Sequence, residues 1–408
     1  MRRVVITGMG AVSPFGTGVE SLMRGLAAGE SGVRPMAALR EISGLVPTIA
    51  GTVPDCDEKS IPRKFRRSMS PMSIYAALAA REAVAMAGLD EAMLTDAGTG
   101  LCLGSTVGSV QAMQAFFARY LDGLSIEGTK ATEFFKIMNH SCATNLAQFF
   151  GITGRVVAPS AACSTGCQSI GLAAEAVAIG RQEVMLCGGA DELHPLTVGT
   201  FDVIEAASTG YNEVPEQTPR PFDRDRDGIV CAEGAGLLVL ESLDHALARN
   251  ATILAEILGF ASTSDPSNLA SPSDEAIARC MSRALDDAGV SPAEVDYVNA
   301  HATGTRLGDA AESAAIASLL GAGPKVSSLK GHLGHTMAAS GGVETIATIS
   351  MMNNGLVFPT RNLIDIAPDC VGLSHVLETE KWPITTALKN SFALGGINTS
   401  IVLRRYDD

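Results

Sequence analysis

An α/β fold with buried sheets is what this sequence predicts, and three observations carry it. Apolar β-branched runs alternate with Ala-rich stretches of helical character from end to end. Hydrophobic residues make up 46% of the chain and charged residues 18%, enough to bury a large core and to exclude extensive disorder. Gly reaches 42 residues while aromatics are only 5%, which predicts backbones packed closely over small side chains.

Strands are expected at Arg3–Thr7, Gly100–Gly104, Arg155–Ala158, Glu183–Cys187, Gly236–Glu241, Ile253–Ala261, Val295–Asn299, Lys325–Ser327, Thr386–Asn390 and Ser400–Arg404. Helices are expected at Ser68–Ala87, Ala143–Phe149, Cys163–Ile179, Asp274–Ala288 and Asp309–Leu320, with a further run from Ala338 to Asn353. Two stretches read as loop seams: Gly210–Asp227, rich in Pro, Asp and Arg, and Thr263–Ser273, rich in Ser and Pro. At 408 residues, against about 150 per domain, the chain holds two or three domains or one duplicated unit. Val4–Ser13 and Ala255–Asp265 echo each other as an apolar strand entering a Gly/Ser turn, so the boundary is set near residue 250, giving halves 1–250 and 251–408.

Charge and composition remove several functions. Thirty basic against 44 acidic residues leave a net charge of −14, which argues against nucleic-acid binding. No apolar run approaches the roughly 18 residues of a membrane span. The chain enters its first strand directly after Met1-Arg2-Arg3, with no signal or transit pattern, so its nine cysteines read as reduced thiols of a cytoplasmic protein.

Four clusters could carry chemistry. In Ala161-Ala162-Cys163-Ser164-Thr165-Gly166, a small-residue turn joins an apolar strand to a long helix. Cys163 at that helix start would face unpaired N–H groups and the positive end of the dipole, so its thiol is expected to ionise readily and act as a nucleophile. A buried structural cysteine is the alternative, and is the reading taken for Cys102, Cys187 and Cys231. Cys167 lies one turn on, but no further Cys pair accompanies it, which disfavours a redox or metal pair.

The second cluster, His301-Ala302-Thr303-Gly304-Thr305-Arg306, follows a strand, where α/β sheets bind ligands; the two Thr hydroxyls suit a polar chain such as a pantetheine arm, or are ordinary turn residues. The third, Lys330-Gly331-His332-Leu333-Gly334-His335, ends another strand, and Glu344 on the following helix could pair with Lys330. Zinc on His332 and His335 lacks a fourth ligand, so no metal is expected. The fourth, Phe392-Ala393-Leu394-Gly395-Gly396, could aim a backbone N–H at a reacting oxygen, or be a plain hairpin. Gly8-Met9-Gly10 imitates a dinucleotide fingerprint but has Ser13 where a third glycine belongs, and Asp223-Arg224-Asp225-Arg226-Asp227 reads as a salt-bridged loop rather than a calcium site.

In this order and spacing the clusters resemble the β-ketoacyl-acyl carrier protein synthase family, the decarboxylating condensing enzymes of type II fatty acid synthesis. The likeness spans nearly the whole chain, from Val4-Val5-Ile6-Thr7-Gly8-Met9-Gly10 through Pro221-Phe222-Asp223 to Asn390-Ser391-Phe392 and Asn398. Ser73-Ile74-Tyr75-Ala76 and Ala255-Glu256-Ile257 lean to the synthase I branch. The resemblance implies a thiolase-like fold, two βαβαβαββ halves in five αβαβα layers, a homodimer and no cofactor. It implies Cys163 as acyl acceptor, His301 and His335 as the decarboxylation pair, Lys330 with Glu344 in support, and the backbone N–H groups of Cys163 and Leu394 as the oxyanion hole. Thr303, Thr305 and Phe392 would bind substrate, and Met113–Phe117 with Phe134–Met138 would line an acyl tunnel.

The implied partner is an acyl carrier protein, met by the basic island Arg63-Lys64-Phe65-Arg66-Arg67, in which Lys64 and Arg67 match family docking positions. Three positions depart from the family: Ala302 for Gly, Arg306 for Pro, and Leu394 for the gating Phe. A non-catalytic chain-length-factor-like subunit is the alternative, opposed by Cys163 and both histidines. A thiolase is the other, opposed by two His where thiolases place one His and a second Cys.

Overall fold

The computed structural model describes residues 1–54, 56–267, 269 and 272–407. Its main strands are β1 (Val4–Ser13), β2 (Thr99–Gly104), β3 (Val156–Val157), β4 (Val184–Asp191), β5 (Gly234–Ser242), β6 (Ala255–Ser264), β7 (Tyr297–Asn299), β8 (Lys325–Ser327), β9 (Thr386–Phe392) and β10 (Ile397–Arg404). The helices that pack on them are α1 (Pro71–Ala87), α2 (Ser141–Phe150), α3 (Thr165–Ala178), α4 (Asp274–Ala288), α5 (Arg306–Leu320) and α6 (Ser340–Asn354).

Strand order exposes a duplication. One hydrogen-bonded path runs β3-β2-β4-β5-β1-β6-β10-β9-β7-β8, completed to 12 strands by Ser374–His375 beyond β8 and Gly16–Thr17 beside β1. In the first half β2 is parallel to β3 and β4, while β5 is antiparallel to β4 and β1. In the second half β7 is parallel to β8 and β9, and β10 is antiparallel to β9 and β6. The halves meet where β1 pairs antiparallel with β6, Val4 opposite Ile257. Helices repeat in step, since α1, α2 and α3 occupy the places in the first half that α4, α5 and α6 occupy in the second.

Side-chain alternation converts this order into layers. Leu237 and Val239 of β5 face Ile74 and Leu78 of α1, whereas Leu238 and Leu240 face Ile170 of α3 and Val343 of α6. On the other side, Leu388 and Val402 join Ile277 and Ile316 of α4 and α5, while Ala387 and Ile401 turn back to the central helices. The fold is therefore α/β and five-layered, with α3 and α6 sandwiched between the two half-sheets. Glycines permit the close approach: a Cβ on Gly8 or Gly10 would lie 2.1 or 1.9 Å from the carbonyl oxygens of Ala83 and Ala79 on α1. The apparent nucleotide fingerprint is thus a strand–helix packing device.

Each expected strand and helix has its counterpart, displaced by a few residues at the ends. Asp274–Ala288 coincides because Ser273 caps its start, accepting from the Ala276 N–H at 3.3 Å, and Gly289 ends it in the left-handed region. Helices Val19–Ala27, Val110–Leu121 and Ala131–Ile137 were not expected. The stretch Gly210–Asp227 is a loop, as expected, but in its second part Arg220, Phe222, Asp223 and Arg226 are buried, wedged against the second half. In the other expected seam, Thr263 and Ser264 belong to β6, and Asn268, Ala270 and Ser271 lie outside the described residues. Among the described residues, no helix is long and apolar enough to cross a membrane.

Candidate active site

The Cys163 turn is built from both halves. After β3 the chain enters a 3-10 turn, Ala162–Ser164, and only then α3, so Cys163 stands just before the α-helix proper. Ala162 is held at φ 46°, a left-handed value uncommon for a residue with a Cβ. The Ser164 hydroxyl lies 2.9 Å from the Ser391 carbonyl and 2.8 Å from that of Ile397, anchoring the turn to β9 and β10. A Cβ on Gly341 would sit 2.1 Å from the Cys167 nitrogen, so the first turns of α3 and α6 touch backbone to backbone.

The imidazoles come from the second half. His301 leaves the end of β7, where the Glu312 carboxylate accepts the N–H groups of His301 at 2.9 Å and Ala302 at 2.7 Å. Asn390 of β9 donates to the same carboxylate at 3.1 Å. His335 follows β8, its Nδ1 3.0 Å from the Ser340 hydroxyl. The Cys163 sulfur and one nitrogen of each ring lie within 4.8 Å of one another, and the rings stand edge to face with centroids 5.3 Å apart. His301 Nδ1 and His335 Nε2 are buried with no hydrogen-bond partner among the described residues. Unpaired buried nitrogens of this kind await a ligand oxygen.

Behind the rings lies a buried charge chain. Lys330 Nζ is 2.6 Å from one Glu344 oxygen, and Lys389 Nζ is 2.7 Å from the other. Burial, then the Lys330 cation, holds both imidazoles well below their ordinary range, so they are neutral. Burial likewise lowers Lys330, opposed by Glu344.

Cys163 behaves differently from the sequence expectation. Burial pushes its thiol up to about 11, outweighing Lys330 and the backbone N–H groups of Leu394 and of Cys163 itself, all of which favour the thiolate. The reason is position: a sulfur shielded from water loses more hydration as an anion than a nearby helix terminus restores. In the free protein Cys163 is therefore held as a thiol.

A cavity of about 590 Å³ reaches this centre, lined by Cys163, His301, His335 and Phe392, with Thr303 and Thr305 further along. The Phe392 ring lies 5.9 Å from that of His301, and the two Thr hydroxyls are 3.2 Å apart. Leu394 lines the cavity with its side chain partly exposed, while its N–H points at the sulfur. Met113–Phe117 and Phe134–Met138 are not among the residues that line this cavity. They lie on Val110–Leu121, on Ala131–Ile137 and at Met138 just beyond, with Phe117 and Phe134 exposed, and Phe201 and Ile229 supply the apolar wall instead.

The basic island stands apart from the cavity. Arg63, Lys64 and Arg67 are exposed, Lys64 lies over the Phe65 ring at 4.6 Å, and Arg66 pairs with Glu58 at 3.4 Å. His332 is structural: its ring nitrogens meet the Glu30 and Pro359 carbonyls, and burial brings it down to about 4. Cys163, His301 and His335 could reach one metal ion, but the field of Lys330 and Lys389 that disfavours imidazolium also opposes a cation there. The Asp223–Asp227 run is ion-paired, with Arg220–Asp223 and Arg226–Asp369 both at 2.9 Å. Sequence reasoning missed Glu312, Ser340 and the role of Lys389, although a lysine inside the otherwise uncharged run Thr386–Phe392 was a detectable anomaly.

A duplicated five-layer α/β fold, with a buried thiol at the head of one central helix and two neutral imidazoles from the other half, defines a thiolase-like condensing enzyme. The chain matches the family models for the β-ketoacyl synthase N-terminal domain over residues 1–246 and C-terminal domain over residues 254–364. It is 37% identical over 411 residues to 3-oxoacyl-[acyl-carrier-protein] synthase 1 of Haemophilus influenzae, covering all of both chains. A β-ketoacyl synthase crystal structure from Burkholderia phymatum superposes with TM-score 0.96 at 40% identity, again over all of both chains. A type II PKS acyl-carrier protein in complex with its ketosynthase gives 0.91 at 32%, with complete coverage of both. This chain belongs to the β-ketoacyl synthase family.

Proposed function

We propose that this protein catalyses decarboxylative condensation of an acyl group held on Cys163 with malonyl-carrier protein, giving β-ketoacyl-carrier protein and CO₂. The observation that carries the reading is the convergence of the Cys163 sulfur and two imidazole nitrogens within 4.8 Å at the wall of one cavity.

In the first half-reaction the Cys163 proton moves to an imidazole as sulfur attacks the acyl-carrier thioester. The carrier thiol leaves with that proton, and the acyl group stays on Cys163. The carbonyl oxygen of the tetrahedral intermediate takes the N–H groups of Cys163 and Leu394, the same two that favour sulfur anion in the free protein. Malonyl-carrier then enters. Its carboxylate carbon–carbon bond breaks, the electron pair moves into the thioester as an enolate, and His301 and His335 donate N–H bonds to the enolate oxygen. Neutral rings suit this role, because a ring without net charge gains most from an anion that forms only during reaction. The enolate carbon attacks the acyl carbonyl and sulfur is released.

Lys330, held in place by Glu344, is a positioning residue whose cation adds to burial in keeping both rings neutral, and Thr303, Thr305 and Phe392 hold the pantetheine thioester. The division at residue 250, with nucleophile in one half and imidazoles in the other, belongs to the same reading. Lys64 and Arg67, flanked by Arg63 and Arg66, dock the acidic carrier, and the reaction calls for no cofactor. A homodimer and a cytoplasmic setting complete the reading; the dimer is supported by the terminal strand β3 and the exposed Phe117, Leu121 and Phe134 beyond it.

Intact-mass measurement after incubation with a panel of acyl-carrier thioesters tests the assignment. An acyl increment on Cys163, absent in Cys163→Ala, is expected; condensation by Cys163→Ala alone would overturn it.

A further inference from the structure

One side chain of the cavity has no part in the chemistry above. Arg306 opens α5, directly after Thr305, and its guanidinium makes no hydrogen bond or ion pair among the described residues. Its backbone is fixed: the buried Arg226 guanidinium donates to the Arg306 carbonyl at 2.9 Å and to that of Thr305 at 3.3 Å, and is itself tied to Asp369 at 2.9 Å. The structure thus holds the base of Arg306 rigidly and leaves its head free.

The loop 301–306 grades outward. His301 and Thr303 are buried, Thr305 is half-buried and Arg306 is exposed, and all four line the same cavity. A carrier-borne thioester has the same order of groups, with the reacting carbonyl and sulfur innermost, then two amides, then an anionic phosphodiester. The cavity is otherwise adverse to that phosphate, because Glu205, Asp227 and Asp265 also line it. Among the described residues, Arg306 is the one lysine or arginine that does so.

We propose that Arg306 is the phosphate anchor of this enzyme, its guanidinium pairing with the phosphodiester of the carrier's phosphopantetheine arm while Thr303 and Thr305 meet the amides. This rests on the carrier-thioester reading above and adds a specificity-determining residue to it. A planar guanidinium can place two N–H groups on two phosphate oxygens, a geometry that lysine does not reproduce.

The test compares binding of phosphopantetheine and pantetheine, which differ only in the phosphate, by titration calorimetry at low salt. The native protein should bind phosphopantetheine about tenfold more tightly, the scale of one partly exposed charge-assisted pair. In Arg306→Gln this ratio should fall to about one through loss on the phosphorylated ligand alone, and Arg306→Lys should recover part of it. An equal ratio in native protein and Arg306→Gln, or no preference in the native protein, overturns the proposal. Preserved phosphate preference in a protein that fails to condense malonyl-carrier would instead overturn the functional reading and leave the anchor standing.

Discussion

Replacing Glu344 by Gln should destabilise this protein far more than replacing Lys330 by Met, although both changes break the same 2.6 Å contact. The reason is charge balance in a site without water. Glu344 lies between two buried ammonium groups, with Lys389 2.7 Å from its second oxygen. Lys330→Met leaves one lysine and one carboxylate, a neutral pair, and puts a flexible apolar side chain of similar length in the vacated space. Its cost should be about 1 kcal/mol. Glu344→Gln leaves two cations facing an amide, and stranding buried charge costs about 3–5 kcal/mol. The gap of roughly 2–4 kcal/mol is large beside a total stability of about 5–15 kcal/mol. Guanidinium unfolding followed through the single tryptophan, Trp382, measures it. The Glu344→Gln deficit should also shrink as pH rises from 7 toward 10. A lysine kept from protonating in the folded protein, but not in the unfolded chain, costs stability below its ordinary pKa and none above it. Equal losses in the two variants, with no pH dependence, would refute the charge-balance reasoning.

Three further outcomes follow from the structure. Because burial holds the Cys163 thiol near 11, its alkylation by iodoacetamide should accelerate about tenfold per pH unit from 7 to 10, and a plateau by pH 8 would mean a resting thiolate. Lys330→Met should slow that alkylation at every pH in the range, since the lysine cation favours the anion; an unchanged rate would remove Lys330 from the field at sulfur. Charge reversal of Lys64 and Arg67 together should raise KM for acyl-carrier substrate several-fold at low salt, an effect that salt should diminish. An unchanged KM would place carrier docking elsewhere.

Much of this fold was legible because both faces of each half-sheet are covered. Strands such as β5 read as unbroken apolar runs, and the glycines at Gly8 and Gly10 record a helix passing directly overhead. The four reactive clusters were visible because each sits where a strand ends in small residues. Helices Val110–Leu121 and Ala131–Ile137 were not, because several of their large apolar residues, Phe117, Tyr120, Leu121 and Phe134, are exposed and blur any inward stripe. The bridge from Glu344 to Lys389 joins distant parts of the chain, and the Glu312 clamp on His301 depends on how α5 folds back against the end of β7; the lysine inside the run Thr386–Phe392 was the one local sign of either. The acidity of Cys163 was misjudged for a related reason: a helix start is readable in sequence, but the depth at which it is buried depends on the opposite half. Three-dimensional closure, not local pattern, decided these features.

The most direct measurement separates the two half-reactions in His301→Ala and His335→Ala. Each variant should still accept an acyl group on Cys163, detected by intact mass, while CO₂ release from labelled malonyl-carrier falls by at least about a hundredfold, the scale of losing one preorganised donor to a developing oxyanion. CO₂ release at the native rate from either variant would contradict the assignment of that ring to the enolate oxygen.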